Sequence, residues 1–169
     1  MRVLIAGLGN VLRTDDGFGV VVAGILQGED LPDEVEVIEV GIGGIHLVQQ
    51  LMDEMDALIV VDAVDFGLAP GTVLVLEPDI EDVATLPLHE RHDKLADMHY
   101  ATPERALMLA RALAILPERI WIVGCQPQDA ESMGHSLSPA VEGAVPEAIG
   151  QIRRLVNACG VGWVDVPRS

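Results

Sequence analysis

Cysteine is scarce in this chain of 169 residues, since Cys125 and Cys159 are its only two. They form no C-x-x-C motif and no closely spaced set, which excludes a disulfide framework and the usual thiolate zinc sites. Two isolated cysteines are typical of a reducing compartment. We therefore predict a cytoplasmic protein.

Long hydrophobic runs are also lacking. The first apolar run, Val3 to Leu8, is interrupted by Gly7 and followed at once by Gly9 and Asn10. It is too short for a signal peptide or a membrane span. It instead predicts a buried strand, and we expect no association with membranes.

Basic residues are few: 10 Lys and Arg stand against 27 Asp and Glu, which gives a formal charge of −17 and a pI near 4.3. A field of this sign repels phosphate backbones and anionic lipid headgroups. Nucleic acid is therefore excluded as a partner, whereas a basic protein surface, a cation or a metal centre is favoured.

Hydrophobic residues make up 50% of the chain, and its mean hydropathy is +0.36. A chain of this length and composition can bury about two-thirds of its unfolded surface. We predict one domain over residues 1–169 and a monomer, in which 161–169 form an edge strand or a frayed tail, and any catalytic role falls to this single domain.

Short β-branched runs alternate with longer amphipathic stretches, which predicts an α/β fold. The continuously apolar runs indicate strands covered by helices on both faces. The predicted strands are Val3–Leu8, Val35–Val40, Ala57–Asp62, Thr72–Glu77 and Ile120–Gly124, and the predicted helices are Gly17–Gln27, Ile45–Met55, Pro103–Leu116 and Pro139–Ala158.

Two connections carry many polar residues: Gly9–Asp16 after the first strand, and the long stretch Pro78–Ala101. In open α/β sheets, ligands bind at the carboxyl ends of the strands, where such loops lie. We therefore predict that these two loops form the functional site.

The first loop belongs to a glycine-rich motif, Gly7-Leu-Gly-Asn-Val-Leu-Arg-Thr-Asp-Asp-Gly-Phe-Gly19. A dinucleotide fingerprint requires glycine at the position of Leu12, and the carboxylates of Asp15 and Asp16 would repel a pyrophosphate. Two interpretations of these acids remain open: either they cap the following helix, or they serve a functional site.

Asp62 ends the apolar run 57–61, at the tip of a predicted buried strand. An ionised carboxylate there requires a cation, a metal or hydrogen-bond donors, because burial of an unpaired charge is costly. The alternative is a carboxylate that caps the following turn.

Three histidines, His89, His92 and His99, lie in the second loop. His89 and His92 are spaced three apart rather than four, so they do not form the zinc-protease helix motif. His99 immediately precedes the predicted start of a helix at Thr102-Pro103. If it meets Asp16 and Asp62, the three make a site for a divalent transition metal with open coordination positions.

Several motifs together resemble the maturation endopeptidases of nickel-iron hydrogenases. The resemblance runs from Met1 to about Ala158. It rests on the Gly7–Gly19 motif, Asp62-Ala63, Pro70-Gly71-Thr72, His99 before a leucine-rich helix, Val123-Gly124 with Pro127, and Leu137-Ser-Pro-Ala-Val-Glu142.

This resemblance implies a phosphorylase/hydrolase-like three-layer α/β/α sandwich around a twisted, mostly parallel five-stranded sheet. It implies an endopeptidase that removes a C-terminal extension from the nickel-loaded precursor of a hydrogenase large subunit. Asp16, Asp62 and His99 would be the catalytic, metal-contacting residues, engaging nickel carried by the precursor, and another divalent metal could occupy the site in a crystal. Either acid could activate water, as in an aspartyl protease.

The chain departs from this family at two points. Many relatives have Glu where this chain has Asp16, which is one methylene shorter. The predicted substrate loop, Glu39-Val-Gly41-Ile-Gly43-Gly44, lacks the threonine common in relatives. The resemblance therefore predicts the reaction more firmly than it predicts which partner is bound.

Two other functions remain alternatives. A non-catalytic nickel-binding assembly factor or chaperone would use the same three ligands without cutting its partner. A nucleotide-binding α/β module is supported by Gly7 and Gly9 alone.

Overall fold

The computed structural model describes residues 1–90 and 103–164. The strands are β1 Val3–Leu8, β2 Val35–Gly41, β3 Ala57–Ala63, β4 Val73–Leu76 and β5 Arg119–Cys125. The α-helices on which the fold rests are α1 Phe18–Gln27, α2 Gly44–Gln50, α3 Pro103–Ala112 and α4 Pro139–Ala158, and two 3-10 helices span Thr14–Gly17 and Val83–Thr85.

The five strands form one sheet in the order β2-β1-β3-β5-β4. All neighbouring pairs are parallel except β4 and β5, which are antiparallel. The predicted mostly parallel sheet is therefore confirmed. The carboxyl ends of β1, β2, β3 and β5 meet at one edge, where the two polar loops were expected to contribute the site.

Alternate residues of the central strands enter two separate cores. Val3 and Ile5 of β1 pack in the core that contains α1 and α4, while Leu4 and Ala6 pack in the core that contains α2 and α3. Because side chains of a strand alternate between faces, the two cores lie on opposite sides of the sheet. The predicted three-layer arrangement is confirmed.

Two glycines of the motif allow α1 to approach the sheet closely. A Cβ atom at Gly19 would lie 2.0 Å from the carbonyl oxygen of Val61, and one at Gly7 would lie 2.2 Å from the carbonyl oxygen of Gly19. Any side chain at either position would displace the helix from the sheet. These glycines bring the start of α1 over the ends of β1 and β3.

Two predicted helices are shorter than expected. The structure begins α2 at Gly44 and ends it at Gln50, rather than spanning Ile45–Met55. Met52 and Asp53 donate to carbonyls only three residues back, a tighter turn that ends the helix. The helix predicted at Pro103–Leu116 ends at Ala112, and Ala114 turns the chain with a φ of +56°.

The segment that follows α4 is packed against the core through residue 163. Val161 and Trp163 are buried, and the Asn157 side chain both donates to the Trp163 carbonyl oxygen and accepts from its N–H. The expectation of an edge strand or a frayed tail is wrong for 161–163, and 165–169 lie outside the described residues. Within 1–90 and 103–164, no helix has the length and apolarity needed to cross a membrane.

Candidate functional site

Asp16 and Asp62 meet at the carboxyl edge of the sheet. Asp16 lies in the 3-10 helix between β1 and α1, and Asp62 is the penultimate residue of β3. Gly9 fits between them: a Cβ atom there would lie 1.8 Å from the carbonyl oxygen of Asp16 and 3.7 Å from Oδ1 of Asp62. We refer to Asp16 and Asp62 as the acid pair.

The two carboxylates influence each other. Burial, followed by the negative charge of Asp16, raises the pKa of Asp62 to about 7, although the N–H of Ala63 opposes this by donating to Oδ1 at 2.9 Å. Oδ2 of Asp16 accepts the N–H of Asn10 at 3.1 Å. Because each acid accepts an N–H and has a like-charged neighbour, a cation is the chemical complement of the pair.

Asp15, next to Asp16 in sequence, is fully buried and has a different set of partners. Its carboxylate accepts the N–H of Gln128 at 2.8 Å, the N–H of Asp129 at 3.0 Å, and both the N–H and the hydroxyl of Ser138 at 2.6 and 2.9 Å. Burial alone would raise its pKa, but these donors together hold the pKa below its ordinary value. Asp15 therefore joins the Asp16 turn to the loop between β5 and α4.

Neither acid caps the helix that follows. The residue that caps α1 is Gly17, which offers no side chain, and no side-chain bond caps the 3-10 helix. The capping interpretation of Asp15 and Asp16 is therefore wrong. For Asp62, Oδ1 accepts the N–H of the next residue, Ala63, so this carboxylate does cap the start of the following turn with one hydrogen bond.

Further bonds fix the same turn to the loop after β5. Arg13 pairs with Gly134 in an isolated bridge, and the Thr14 hydroxyl donates to the carbonyl oxygen of Asp129. Thr14 has a φ of +40°, which a β-branched residue seldom adopts. The turn that presents Asp16 is therefore held in an unusual backbone conformation by residues far along the chain.

Gln126 organises the loop that follows Asp62. Its side-chain oxygen accepts the N–H of Phe66 at 2.6 Å and that of Leu68 at 3.2 Å, and its amide nitrogen donates to Asp65 at 3.0 Å. Sequence reasoning missed Gln126 and Asp15 as supports of the site, because their partners are remote in sequence.

Two cavities flank the acid pair. One of about 410 Å³ is lined by Asp62, Asp65, Ile80, Pro103 and Glu104, among others. The other, of about 350 Å³, lies between residues 9–12 and 39–42 and has Val20 in its lining. The first cavity therefore includes Asp62 itself, and the second is bordered by Gly9 and Asn10, which contact Asp16.

His99, the third predicted ligand, lies outside the described residues, as do His92 and Thr102. The first described residue after it, Pro103, lines the cavity that contains Asp62. Among the residues that the structure describes, no three His, Cys, Asp or Glu side chains are grouped as a metal site. His89 is exposed and lies 3.8 Å from the Glu90 carboxylate.

The predicted substrate loop begins beside the acid pair. Glu39 and Gly41 line the 350 Å³ cavity, and the Gly9 N–H donates to the Gly41 carbonyl oxygen at 3.0 Å. Gly43 and Gly44 lie at the start of α2. The assignment of these four residues to substrate binding stays a prediction.

Two nucleophilic side chains near Asp15, those of Cys125 and Ser138, are poorly suited to covalent catalysis. Cys125 is buried, and burial, then the charge of Asp15, raises the pKa of its thiol to about 11. The Ser138 hydroxyl donates to Asp15, whose lowered pKa makes it a weak base.

Comparisons with known proteins place the chain in a family and relate its fold to solved structures. The sequence profile of the HycI hydrogenase maturation protease family matches residues 20–155. The hydrogenase expression/formation protein HupD of Rhizobium leguminosarum bv. viciae is 37% identical over 169 residues, covering 99% of this chain and 80% of that protein. HupD of Rhodobacter capsulatus is 36% identical, covering 95% and 73%. The solved structure of the hydrogenase maturating endopeptidase HybD from E. coli superposes with a TM-score of 0.76 at 28% identity, covering 95% of both chains.

Proposed function

The chain belongs to the hydrogenase maturation protease family, and from this premise we propose that it removes a C-terminal extension from a nickel-loaded hydrogenase large-subunit precursor. Family membership makes the protein a hydrolase that cuts other proteins. The observation that carries the finer proposal is the acid pair at the carboxyl edge of the sheet, where the absence of a side chain at Gly9 leaves room for Asp16 beside Asp62. That edge is where α/β proteins bind their ligands.

We propose that the precursor's nickel is contacted by Asp16, Asp62 and His99. Two carboxylates and an imidazole are suitable ligands for a divalent transition metal and leave coordination positions for the precursor's own ligands. His99 precedes Pro103 by four residues, a span of about 14 Å at most. Since Pro103 lines the cavity that contains Asp62, the chain can bring His99 to the acid pair.

In this proposal nickel belongs to the substrate and reports that the precursor is loaded. Contact with the metal would place the peptide bond to be cut beside the acid pair, so that an unloaded precursor is not held there. One acid of the pair would deprotonate the attacking water. The proposed cytoplasmic location is supported by two cysteines that are both buried and free of disulfides.

The nucleotide-binding alternative loses its basis in the glycines. Gly7 serves the contact between α1 and the sheet, and Gly9 admits the backbone of Asp16. Since packing accounts for both glycines, neither of them indicates a binding site for a pyrophosphate.

Substitution of the ligands tests the proposal. Asp16→Asn, Asp62→Asn and His99→Ala should each abolish shortening of the nickel-loaded precursor in a mass spectrum, while circular dichroism stays that of a folded protein. His89→Ala, at an exposed histidine, is the control and should retain activity. Cleavage retained by any ligand variant would contradict that residue's role. Nickel-dependent binding without cleavage by the wild type would instead support the assembly-factor alternative.

A further inference from the structure

The 350 Å³ cavity beside the acid pair has aliphatic walls. Its lining includes Val11, Leu12, Val20, Val40 and Ile42. We refer to this cavity as the aliphatic cleft. Among the described residues, Glu39 is the only charged one in its lining, although 27 of the 169 residues in the chain are acidic. Its volume lies at the lower end of the range for ligand pockets, about 300–1,000 Å³, which suits one or two side chains.

Three of the lining side chains are left exposed. Val11 is 45% exposed, Leu12 46% and Ile42 70%. They come from two loops that are tied together by the hydrogen bond from the Gly9 N–H to the Gly41 carbonyl oxygen. Contiguous exposed aliphatic groups around a concavity are typical of a surface that a partner covers.

The aliphatic cleft is continuous with the acid pair. Asn10 lines the cleft and donates its N–H to Asp16, and Gly9 lines the cleft and lies against both Asp16 and Asp62. A peptide whose bond faces the acids therefore places a neighbouring side chain at the cleft. A partner that is not cut would have no reason to bind next to the acid pair, so the position of the cleft favours the precursor as its occupant.

We propose that the aliphatic cleft binds an aliphatic side chain of the precursor, at a position within about two residues of the cleaved bond. This inference rests on the proposed function and adds a determinant of substrate choice to it. Ile42 and Leu12 cover the bound side chain, and Val20 limits its size. The cleft thus selects the segment that is cut, independently of the contact with nickel.

Kinetics with altered precursors test the cleft. Each of the two residues on either side of the cleaved bond is replaced in turn by Asp, and kcat/KM is measured with wild-type enzyme on nickel-loaded precursor. At one position, Asp should lower kcat/KM about ten- to hundredfold, as expected for loss of a buried aliphatic group. Ile42→Asp should cause a similar loss on the natural precursor and a much smaller one on a precursor with Ala at that position, which has already lost the aliphatic group.

Met52→Asp provides the matched control. Met52 is 61% exposed, comparable to Ile42, and lies after α2 outside the cleft lining. This variant should cleave like the wild type. Cleavage by the wild type with no sensitivity to any of the four Asp replacements, or full activity of Ile42→Asp, would overturn the cleft proposal alone.

Two further results would also overturn the proposal. A wild-type enzyme that does not cleave the loaded precursor would remove both the proposed function and the cleft assignment. A dimer in sedimentation experiments that Ile42→Asp dissociates without changing kcat/KM would show that the cleft binds a second copy of the chain instead.

Discussion

Asp15 and Ser138 are joined by two hydrogen bonds across 123 residues of sequence: the Asp15 carboxylate accepts both the N–H and the hydroxyl of Ser138. This contact connects the turn that carries Asp16 to the start of α4. Since Gln128 and Asp129 donate to the same carboxylate, Asp15 is the centre of a buried network that supports the acid pair.

Loss of the Asp15 carboxylate should destabilise the fold strongly. Asp15→Ala would leave three N–H groups and one hydroxyl without their acceptor, and we expect a loss of about 3 kcal/mol in the free energy of unfolding. Ser138→Ala keeps the N–H bond and should cost about 1 kcal/mol. Urea denaturation measures both, and equal losses for the two variants would contradict a central role for Asp15.

The network should also make the free energy of unfolding depend on pH in the acidic range. Because its pKa is lowered in the folded state from 3.8, Asp15 stabilises the fold above that pH, and this contribution is lost as the pH falls through the folded value. Ser138→Ala removes one of the donors that hold the pKa down. Its deficit in the free energy of unfolding should therefore shrink toward zero on acidification below pH 4, whereas a constant deficit would contradict the assignment.

The spacing of the acid pair depends on glycine at position 9. Gly9→Ala would place a methyl group 1.8 Å from the carbonyl oxygen of Asp16, at a φ of +121°. We expect a loss of processing activity and a lower melting temperature. Gly67→Ala is the matched control, because Gly67 also has a positive φ, +68°, but no atom lies within 4 Å of the added methyl. It should cost about 1 kcal/mol through backbone strain alone and should remain active.

The raised pKa of Asp62 predicts that the metal-free protein loses free energy of unfolding as the pH rises. The folded state keeps the Asp62 proton up to about pH 7, whereas the unfolded chain releases it near 3.8. The contribution of Asp62 to stability therefore falls as the pH rises between these values. In the presence of a chelator, Asp62→Asn should stabilise the protein by an amount that grows between pH 5 and 7 and is constant above. A stabilisation independent of pH would contradict the shift.

The strong negative charge predicts that binding to the precursor depends on salt. The formal charge is −17, and we expect the protein to bind a basic face of its partner. Raising the ionic strength from 50 to 500 mM should weaken the complex in a titration, because the added salt screens the attraction. Affinity that does not change with salt would exclude a charged interface.

The features that sequence predicted correctly are those with local causes. Continuous apolar runs such as Val3–Leu8 and 57–61 identified the central strands, since a strand covered on both faces has no polar side. Asp62 stood out because a carboxylate follows such a run directly. The proximity of Asp62 to Asp16 could be expected because β1 and β3 are parallel, so that their carboxyl ends lie at the same edge of the sheet.

The features that sequence missed depend on contacts between distant segments. Nothing near Asp15 indicates that Gln128 and Ser138 will donate to it, so it could not be distinguished from Asp16 by local pattern. The close contact of Gly19 with Val61 likewise required the packing of α1 on β3. The burial of Trp163 depends on Asn157 and on the core beneath it, contacts that the sequence of residues 161–169 does not reveal.

The central claim is that the acid pair, with His99, engages nickel carried by the substrate. The most direct test is the mass of the large-subunit precursor after incubation with wild-type enzyme, measured for nickel-loaded and nickel-free precursor in parallel. We expect a shortened C-terminus only in the loaded sample. Equal shortening of the nickel-free precursor would contradict it.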